Sequence, residues 1–405
     1  MYSTRKRDKF MRPLFATKHR TRGIEVGAIE REGIRVSLWD MAGQSEFHAF
    51  HDCMFPDIGT RSYQLPSMFM FVWSPIDSKS CEKGAVKNER NFEASFRYWL
   101  RFLASKSRQS NIALIRVMVV FTRADQMVST SSALSPLIDS LWSDFKGVID
   151  ILNPPFDVDA RKKDSVKVVA KHVFVIAKDM LQGIQVYNIC THVNKRLCRH
   201  SKNTNEGIIT WEKFSEICYP FQFPDEDADD DAELKAVALC LNESGNIIYI
   251  NGISHIILNP NWFCNQIMGS LIDFSNSQAS KSTIVFTNGC TPRDSLEECL
   301  ESVAGSNVKG SLLVDVMEAM HLCCKVTSNH GVPNCNVNHI FIPALLTDGS
   351  SLEQLQWRSS MCTPSLEDGT FVHMGRRLQC EDQNLTFLTP GLFPRIQVLF
   401  NNVFQ

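Results

Sequence analysis

The sequence lacks any apolar run that approaches the roughly 18 residues needed to span a membrane. The best candidate, 112–121, is short and carries Arg116. Neither charge is in excess, since 42 Lys and Arg stand against 44 Asp and Glu, and this argues against a dedicated nucleic-acid-binding protein. None of the 14 cysteines belongs to a Cys-x-x-Cys pair, the usual spacing of a zinc ribbon. We expect a cytoplasmic protein without a membrane span or a nucleic-acid partner, and leave open whether it attaches peripherally to a membrane.

The first half of the chain alternates predicted strands with predicted helices, which indicates a doubly wound α/β domain. Its predicted strands are 24–31, 34–40, 68–74, 112–121 and 172–177, and its predicted helices are 88–104, 134–148 and 184–197. A polar stretch at 201–206 is typical of a linker. The second half then predicts a mixed α+β part, with helices at 233–241 and 312–326 and strands at 247–250, 339–346 and 395–404.

Three short polar motifs follow three of the predicted strands. They are Asp40-Met41-Ala42-Gly43-Gln44, Thr122-Arg123-Ala124-Asp125 and Ala177-Lys178. Open parallel sheets bind ligands at the carboxyl ends of their strands, so we expect these motifs to lie at one edge of the sheet. Their order and spacing resemble the guanine-nucleotide motifs of Ras-like GTPases, which are Asp-x-x-Gly-Gln, Asn/Thr-Lys-x-Asp and Ser-Ala-Lys.

The resemblance implies a GTP or GDP site with Mg²⁺, and it places the phosphates beside the first motif. Asp40 would hold the magnesium through water, and Thr21 resembles the threonine that senses the third phosphate and its metal. Gly43, which has no side chain, would bring its backbone N–H close to the terminal phosphate. Gln44 would orient the attacking water as the catalytic residue.

The other two motifs would hold the base. Asp125 would accept hydrogen bonds from the ring N–H and the exocyclic amine of guanine, which adenine cannot supply. Thr122 opens this motif, and the stem of Arg123 would cover the flat base where the family more often has Lys. The N–H of Ala177 would face the guanine oxygen, with Lys178 completing the motif.

The phosphate-binding loop Gly-x-x-x-x-Gly-Lys-Ser/Thr is missing from the sequence, in which the first glycine is Gly23. The first strand of a Ras-like sheet would be missing with it. We therefore expect an incomplete Ras-like domain that is inactive by itself. Either a longer protein supplies the loop upstream, or the chain is a degenerate form that no longer binds nucleotide.

The second half resembles a COR domain through 207–214, 245–250, 257–262, 339–346 and 388–398. The whole chain therefore resembles the Roc–COR tandem of the Roco family, and within it the plant TORNADO leucine-rich-repeat Roco-like proteins. The expected organisation is a basic segment 1–20, an incomplete Roc domain 21–200, a linker 201–206, a winged-helix-like COR-A part 207–335 and a COR-B part 336–405.

The resemblance implies an intracellular signalling scaffold that couples GTP binding and hydrolysis to COR dimerisation. Its partners would be a second copy of the chain and other proteins, and its role would lie in plant development and auxin transport. A nucleotide-independent interaction scaffold is the main alternative, because the phosphate-binding loop is missing. An ATPase of the plant immune type is a third reading, and both Asp125 and the COR-like half argue against it.

Overall fold

The computed structural model describes residues 23–43, 66–76, 88–106, 114–126, 130–182, 188–204, 206–219, 230–250, 252–276, 286, 289–305, 308–326, 338–345 and 387–403. The first described element is an antiparallel hairpin of β1 (Ile24–Arg31) and β2 (Ile34–Met41). Glu32 and Gly33 form its two-residue turn with φ of 53° and 78°, the conformation that two-residue hairpin loops favour. The hairpin predicted from the sequence is confirmed.

A three-stranded parallel sheet of order β3-β4-β5 forms the centre of the first half. Its strands and the helices around them are β3 (Met68–Trp73), α1 (Glu89–Lys106), β4 (Ile115–Thr122), α2 (Thr130–Asp144), β5 (Ile149–Val158) and α3 (Lys163–Met180). Phe92, Phe96 and Leu100, spaced for one face of α1, are fully buried against one side of this sheet. The parallel α/β class predicted for this half is confirmed.

The sheet has a different hydrophobic core on each face. The Phe92 core consists of α1 and α2 residues packed on Val117, Val119 and Phe121. The Met118 core lies on the other face, where α3 covers Met118 and Val120. β4 is thus buried on both sides, as its continuous apolar sequence predicts. β3 differs, because Met70 and Val72 are exposed on the face that α1 does not cover.

The prediction of a strand at 172–177 is wrong. These residues lie inside α3, where Val169, Val173 and Ile176 are buried at helical spacing while Val175 is exposed. The third parallel strand is instead β5, whose sequence contains the pair Pro154-Pro155. Proline cannot donate to a ladder and is tolerated in an outer strand, which is the position that β5 occupies in the described sheet.

The second half consists of short strands and helices around two further cores. Its elements are α4 (Asn188–Thr204), β6 (Ile208–Thr210), α5 (Trp211–Cys218), α6 (Asp230–Glu243), β7 (Ile248–Tyr249), β8 (His255–Ile257), a π-helix (Trp262–Met268), α7 (Gly269–Asn276), β9 (Cys290–Pro292), α8 (Arg293–Ala304), α9 (Gly310–Ala319), β10 (Cys324–Val326), β11 (His339–Phe341), a 3₁₀ turn (Pro343–Leu345) and α10 (Leu392–Val403). Two antiparallel sheets, β6-β8-β7 and β10-β11-β9, organise them.

Both cores of the second half pack against these sheets, and the Phe263 core also contains Ile248 of β7 and Ile257 of β8. The Phe214 core joins α4, α5 and α6 to the sheet β6-β8-β7. The Phe263 core joins the π-helix, α7, α8 and α9 to the sheet β10-β11-β9. The sheet β10-β11-β9 takes strands from both sides of residue 335. The predicted COR-A and COR-B parts therefore share a sheet, and the boundary between them stays a prediction.

Three further predictions for this half need correction. The segment 395–404, predicted as a strand, lies largely in helix α10, where Val398 is fully buried. The predicted helix 312–326 ends at Ala319, and Cys324 begins β10. Residues 201–204 of the predicted linker are helical, because α4 continues into them. α4 packs in the Phe214 core, and the domain boundary expected at residue 200 stays a prediction.

Candidate functional site

The carboxyl ends of the three parallel strands are joined to one another by hydrogen bonds. The hydroxyl of Thr122, the last residue of β4, donates a hydrogen bond to the carbonyl of Trp73 at the end of β3 over 3.3 Å. The backbone N–H of Ala124 donates to the carbonyl of Val158 at the end of β5, also over 3.3 Å. The strand ends therefore form one polar edge, the position at which parallel sheets bind ligands.

The motif Thr122-Arg123-Ala124-Asp125 forms a tight turn at this edge. Arg123 has a φ of 66°, and its carbonyl accepts a hydrogen bond from the N–H of Gln126 over 2.9 Å. Its side chain is exposed. The Asp125 side chain points back to the segment after β5. Its Oδ2 lies 2.6 Å from a guanidinium nitrogen of Arg161, and the Asp125 side chain is 12% exposed.

Arg161 lies between two carboxylates. Besides Asp125, it contacts Asp159, whose Oδ1 accepts hydrogen bonds from the Arg161 backbone N–H at 3.1 Å and from its Nε at 3.2 Å. The hydrogen bond from the Arg161 side chain lowers the pKa of Asp159. The same bond and the charge of Asp125 raise the pKa of Arg161. Asp159 is buried, so it fixes the direction in which Arg161 projects.

Asp159-Ala160-Arg161 lie at this site, although no sequence motif predicted them there. They directly follow β5, the position expected for Ala177-Lys178. The sequence feature that could have identified them is their order. A small polar residue is followed by alanine and a cation, as in Ser-Ala-Lys. The proline pair in β5 concealed it, because prolines argue against a strand when only the sequence is known.

Ala177 and Lys178 are not at this edge. Both lie in the last turn of α3, and the Ala177 carbonyl accepts a hydrogen bond from the N–H of Leu181 over 3.0 Å. An N–H this far inside a helix is used by the bond to the residue four positions earlier, so that of Ala177 is not available to a guanine oxygen. Lys178 is exposed on the helix surface.

The first motif lies at the end of β2. Asp40 is partly exposed in the strand opposite Glu25, and the exposed Gly43 has open space around its Cα. Thr21 and Gln44 lie outside the described residues. The structure thus shows two of the four residues expected beside the phosphates, and the placement of Thr21 and Gln44 stays a prediction.

The hairpin that carries Asp40 and Gly43 is bound to the second half. The side-chain amide of Asn261 accepts a hydrogen bond from the N–H of Val26 and donates one to its carbonyl over 2.6 Å. Asn265 donates to the carbonyl of Ile24 over 3.0 Å. Ala42 is buried in the Phe263 core, and Met41 packs against both that core and the Phe92 core. The first motif therefore packs against both halves of the chain.

A carboxylate can accept two parallel N–H bonds, and the Asp125 carboxylate is a described group at this edge with that capacity. In the structure it forms an ion pair with the Arg161 guanidinium. The described residues do not by themselves form a site for a triphosphate with its magnesium, since Thr21 and Gln44 lie outside them. Asp40 is the one described carboxylate of the first motif, and the described part of the chain contains no group of three acidic, histidine or cysteine side chains that could hold a metal ion. We therefore derive no step through bound magnesium or a transferred phosphate.

Within the described ranges, no helix is both long enough and apolar enough to cross a membrane.

Comparison with known proteins gives one extensive sequence similarity. The chain is 28% identical over 406 aligned residues to Protein TORNADO 1 of Arabidopsis thaliana, covering 94% of the chain and 28% of TORNADO 1. The resemblance to TORNADO proteins is confirmed, and the chain spans little more than a quarter of the length of that relative. No protein-family model matches the chain. A solved structure of Methanosarcina barkeri Roco2 RocCORdC bound to GDP has a TM-score of 0.48 and 18% identity, covering 80% of this chain and 86% of the other.

Proposed function

We propose that the chain is the Roc–COR-like module of a Roco-like signalling scaffold. In this module a guanine nucleotide is recognised at the ends of β3, β4 and β5. Its presence is communicated to the second half through the β1–β2 hairpin. The observation that carries the proposal is the polar edge itself, where Asp125 lies beside two joined strand ends and holds a guanidinium.

The chemistry of Asp125 supports guanine over adenine. The carboxylate already forms an ion pair with the planar guanidinium of Arg161. Guanine presents a ring N–H and an exocyclic NH₂ side by side, and a carboxylate can accept both. Adenine presents a ring acceptor at the corresponding position, which would repel the carboxylate and leave it unpaired.

The hairpin supports the coupling. The segment Asp40–Gly43 begins in β2, which packs on the Met118 core through Val36. The segment includes Ala42, which is buried in the Phe263 core. Any ligand that binds Asp40 or Gly43 therefore contacts residues that are fixed by packing against the second half. Packed interfaces of this kind transmit small displacements because they do not deform continuously.

The resemblance of the sequence motifs to those of Roco proteins extends the proposal to the assembly. We expect the COR-like half to form a homodimer and to bind other proteins, with GTP or GDP and Mg²⁺ as the ligands of the complete nucleotide site. The biological role would be in plant development and auxin transport. Light scattering on the purified chain, which measures its mass in solution, tests the dimer.

Equilibrium titration of fluorescent GDP with the 405-residue chain tests nucleotide recognition. We expect binding that unlabelled GDP displaces and ADP does not. Asp125→Ala should weaken it by at least about tenfold, since it removes charge-assisted hydrogen bonds. Asp139→Ala, which removes an exposed carboxylate of α2, is the matched control and should bind like the unmodified chain.

A nucleotide-independent scaffold is the second candidate, and the ion pair between Arg161 and Asp125 favours it. This pair satisfies the Asp125 carboxylate without any ligand. A folded chain that does not bind labelled GDP, or that binds it equally well with Asp125→Ala, would contradict nucleotide recognition and support this second candidate.

A further inference from the structure

A basic depression lies between the β1–β2 hairpin and α4, away from the strand ends described above. It is an open hollow of about 350 Å³. Its lining residues are Arg35, Asn194, Lys195, Cys198, Arg199 and Lys202. Four of these six side chains are cationic, and none is acidic or aromatic. The hollow is large enough for a small ligand and too small for a folded partner.

The cations of α4 form one exposed face. Lys195, Arg199 and Lys202 are spaced four and three residues apart, which places them on the same side of the helix. The 17 residues of α4 include no Asp or Glu. Within the described ranges, none of these three side chains lies within ion-pair distance of a carboxylate. Like charges so close together repel one another, and an anion placed among them would relieve this repulsion.

Arg35 reaches the depression from a different element and is held there by an amide. Its guanidinium donates to Oδ1 of Asn246 over 3.0 Å, and the side-chain amide of Asn194 donates to the same oxygen over 2.9 Å. Asn194 is buried, with 7% of its surface exposed. Asn246 also donates to the hydroxyl of Ser244. A neutral acceptor thus orients Arg35, whose cross-strand neighbour in the hairpin is Glu30, and the lining of the depression carries four cationic side chains.

We propose that the basic depression binds a small ligand that carries several phosphate groups. Arg35 and Arg199 can each grip a phosphate with two parallel N–H bonds, and Lys195 and Lys202 add point charges. Among the described residues that line it, none offers an aromatic surface on which a nucleotide base could stack. A phosphorylated inositol, either free or as a lipid headgroup, has the chemistry that fits. The proposal is independent of nucleotide binding, because no lining residue belongs to the strand ends.

Calorimetric titration of the 405-residue chain with inositol hexakisphosphate tests the proposal. We expect binding that weakens as salt is added, since salt screens exposed charges. Lys195→Ala with Arg199→Ala should weaken it by at least about tenfold, and Arg35→Gln should weaken it also, although Arg35 lies far away in the sequence. The matched control is Lys146→Ala with Lys171→Ala, which removes the same charge from exposed positions and should leave the affinity unchanged.

A second arm distinguishes the two sources of the phosphates. Phosphatidylcholine vesicles with and without a phosphatidylinositol bisphosphate are sedimented with the chain and with the same variants. Binding to the phosphorylated vesicles that depends on Lys195 and Arg199 identifies a lipid headgroup, whereas binding of the free probe alone identifies a free inositol phosphate. Both results support the site.

Cys198 provides an independent readout, because it is an exposed thiol within the depression. The inositol phosphate should slow the alkylation of Cys198 by iodoacetamide, as measured by peptide mass spectrometry. Absence of binding in both arms would overturn the proposal, as would equal loss of affinity in the control variant. Asp125→Ala should retain this binding, so that failure of nucleotide recognition and failure of this site are distinguishable.

Discussion

Arg161 lies between Asp125 and the buried Asp159 and forms an ion pair with each carboxylate. A carboxylate expected to bind a base is thereby given a partner from the chain itself. Any ligand that uses Asp125 must displace this guanidinium or share the carboxylate with it.

Arg161→Ala should strengthen the binding of fluorescent GDP. The ion pair is exposed on the arginine side, and exposed pairs contribute little, so we expect a gain in affinity of at most about fivefold. The control is Lys162→Ala, which removes the neighbouring cation and touches Asp159 only at 3.6 Å. Weaker binding by Arg161→Ala would mean that Arg161 contacts the nucleotide itself.

Single elements could be predicted where a pattern of apolar residues is unambiguous. Phe92, Phe96 and Leu100 recur at helical spacing and are buried on one face of α1. The apolar run of β4 is typical of a strand covered on both sides. The segment from His172 to Ala177 was wrongly predicted as a strand, because its apolar residues are consecutive and fit a buried strand as well as a helix. The helical spacing becomes visible only when the neighbouring residues Val169 and Met180 are included in the pattern.

A pair of valine variants tests whether this segment is a helix. In a strand Val173 and Val175 would share a face, whereas in α3 Val173 is buried and Val175 is 58% exposed. Val173→Ala should lower the free energy of unfolding by about 1–3 kcal/mol, and Val175→Ala should change it by less than about 0.5 kcal/mol. Urea unfolding followed by circular dichroism measures both. Equal losses would contradict the helix.

At the scale of the whole molecule, the hairpin belongs to the second half as much as to the first. Gly245, in the turn between α6 and β7, touches it closely. A Cβ at this position would lie 2.8 Å from Nε1 of Trp39 and 2.8 Å from Cγ1 of Val26. Together with the amide of Asn261, this contact fixes the hairpin against the part of the chain that is expected to dimerise.

Gly245→Ala should destabilise the chain more than Gly33→Ala. Both glycines have positive φ, 68° and 78°, so both substitutions cost about 1–2 kcal/mol of backbone energy. Only Gly245 has neighbours that a methyl group would strike, which adds about 1–3 kcal/mol. Thermal unfolding by calorimetry measures the difference. Equal destabilisation would show that the hairpin can leave the second half at no cost.

The sequence by itself determined the hairpin, the central strand β4, the amphipathic helix α1 and the turn that carries Asp125. Each depends on neighbouring residues, through the spacing of apolar side chains and the chemistry of a two-residue turn. Only the tertiary structure decided that Arg161 meets Asp125, and that Asn261 binds Val26 across 235 residues of chain. Such contacts depend on how the chain returns to itself, which no local pattern encodes. The basic depression is of the same kind, because Arg35 and α4 are brought together only by the fold.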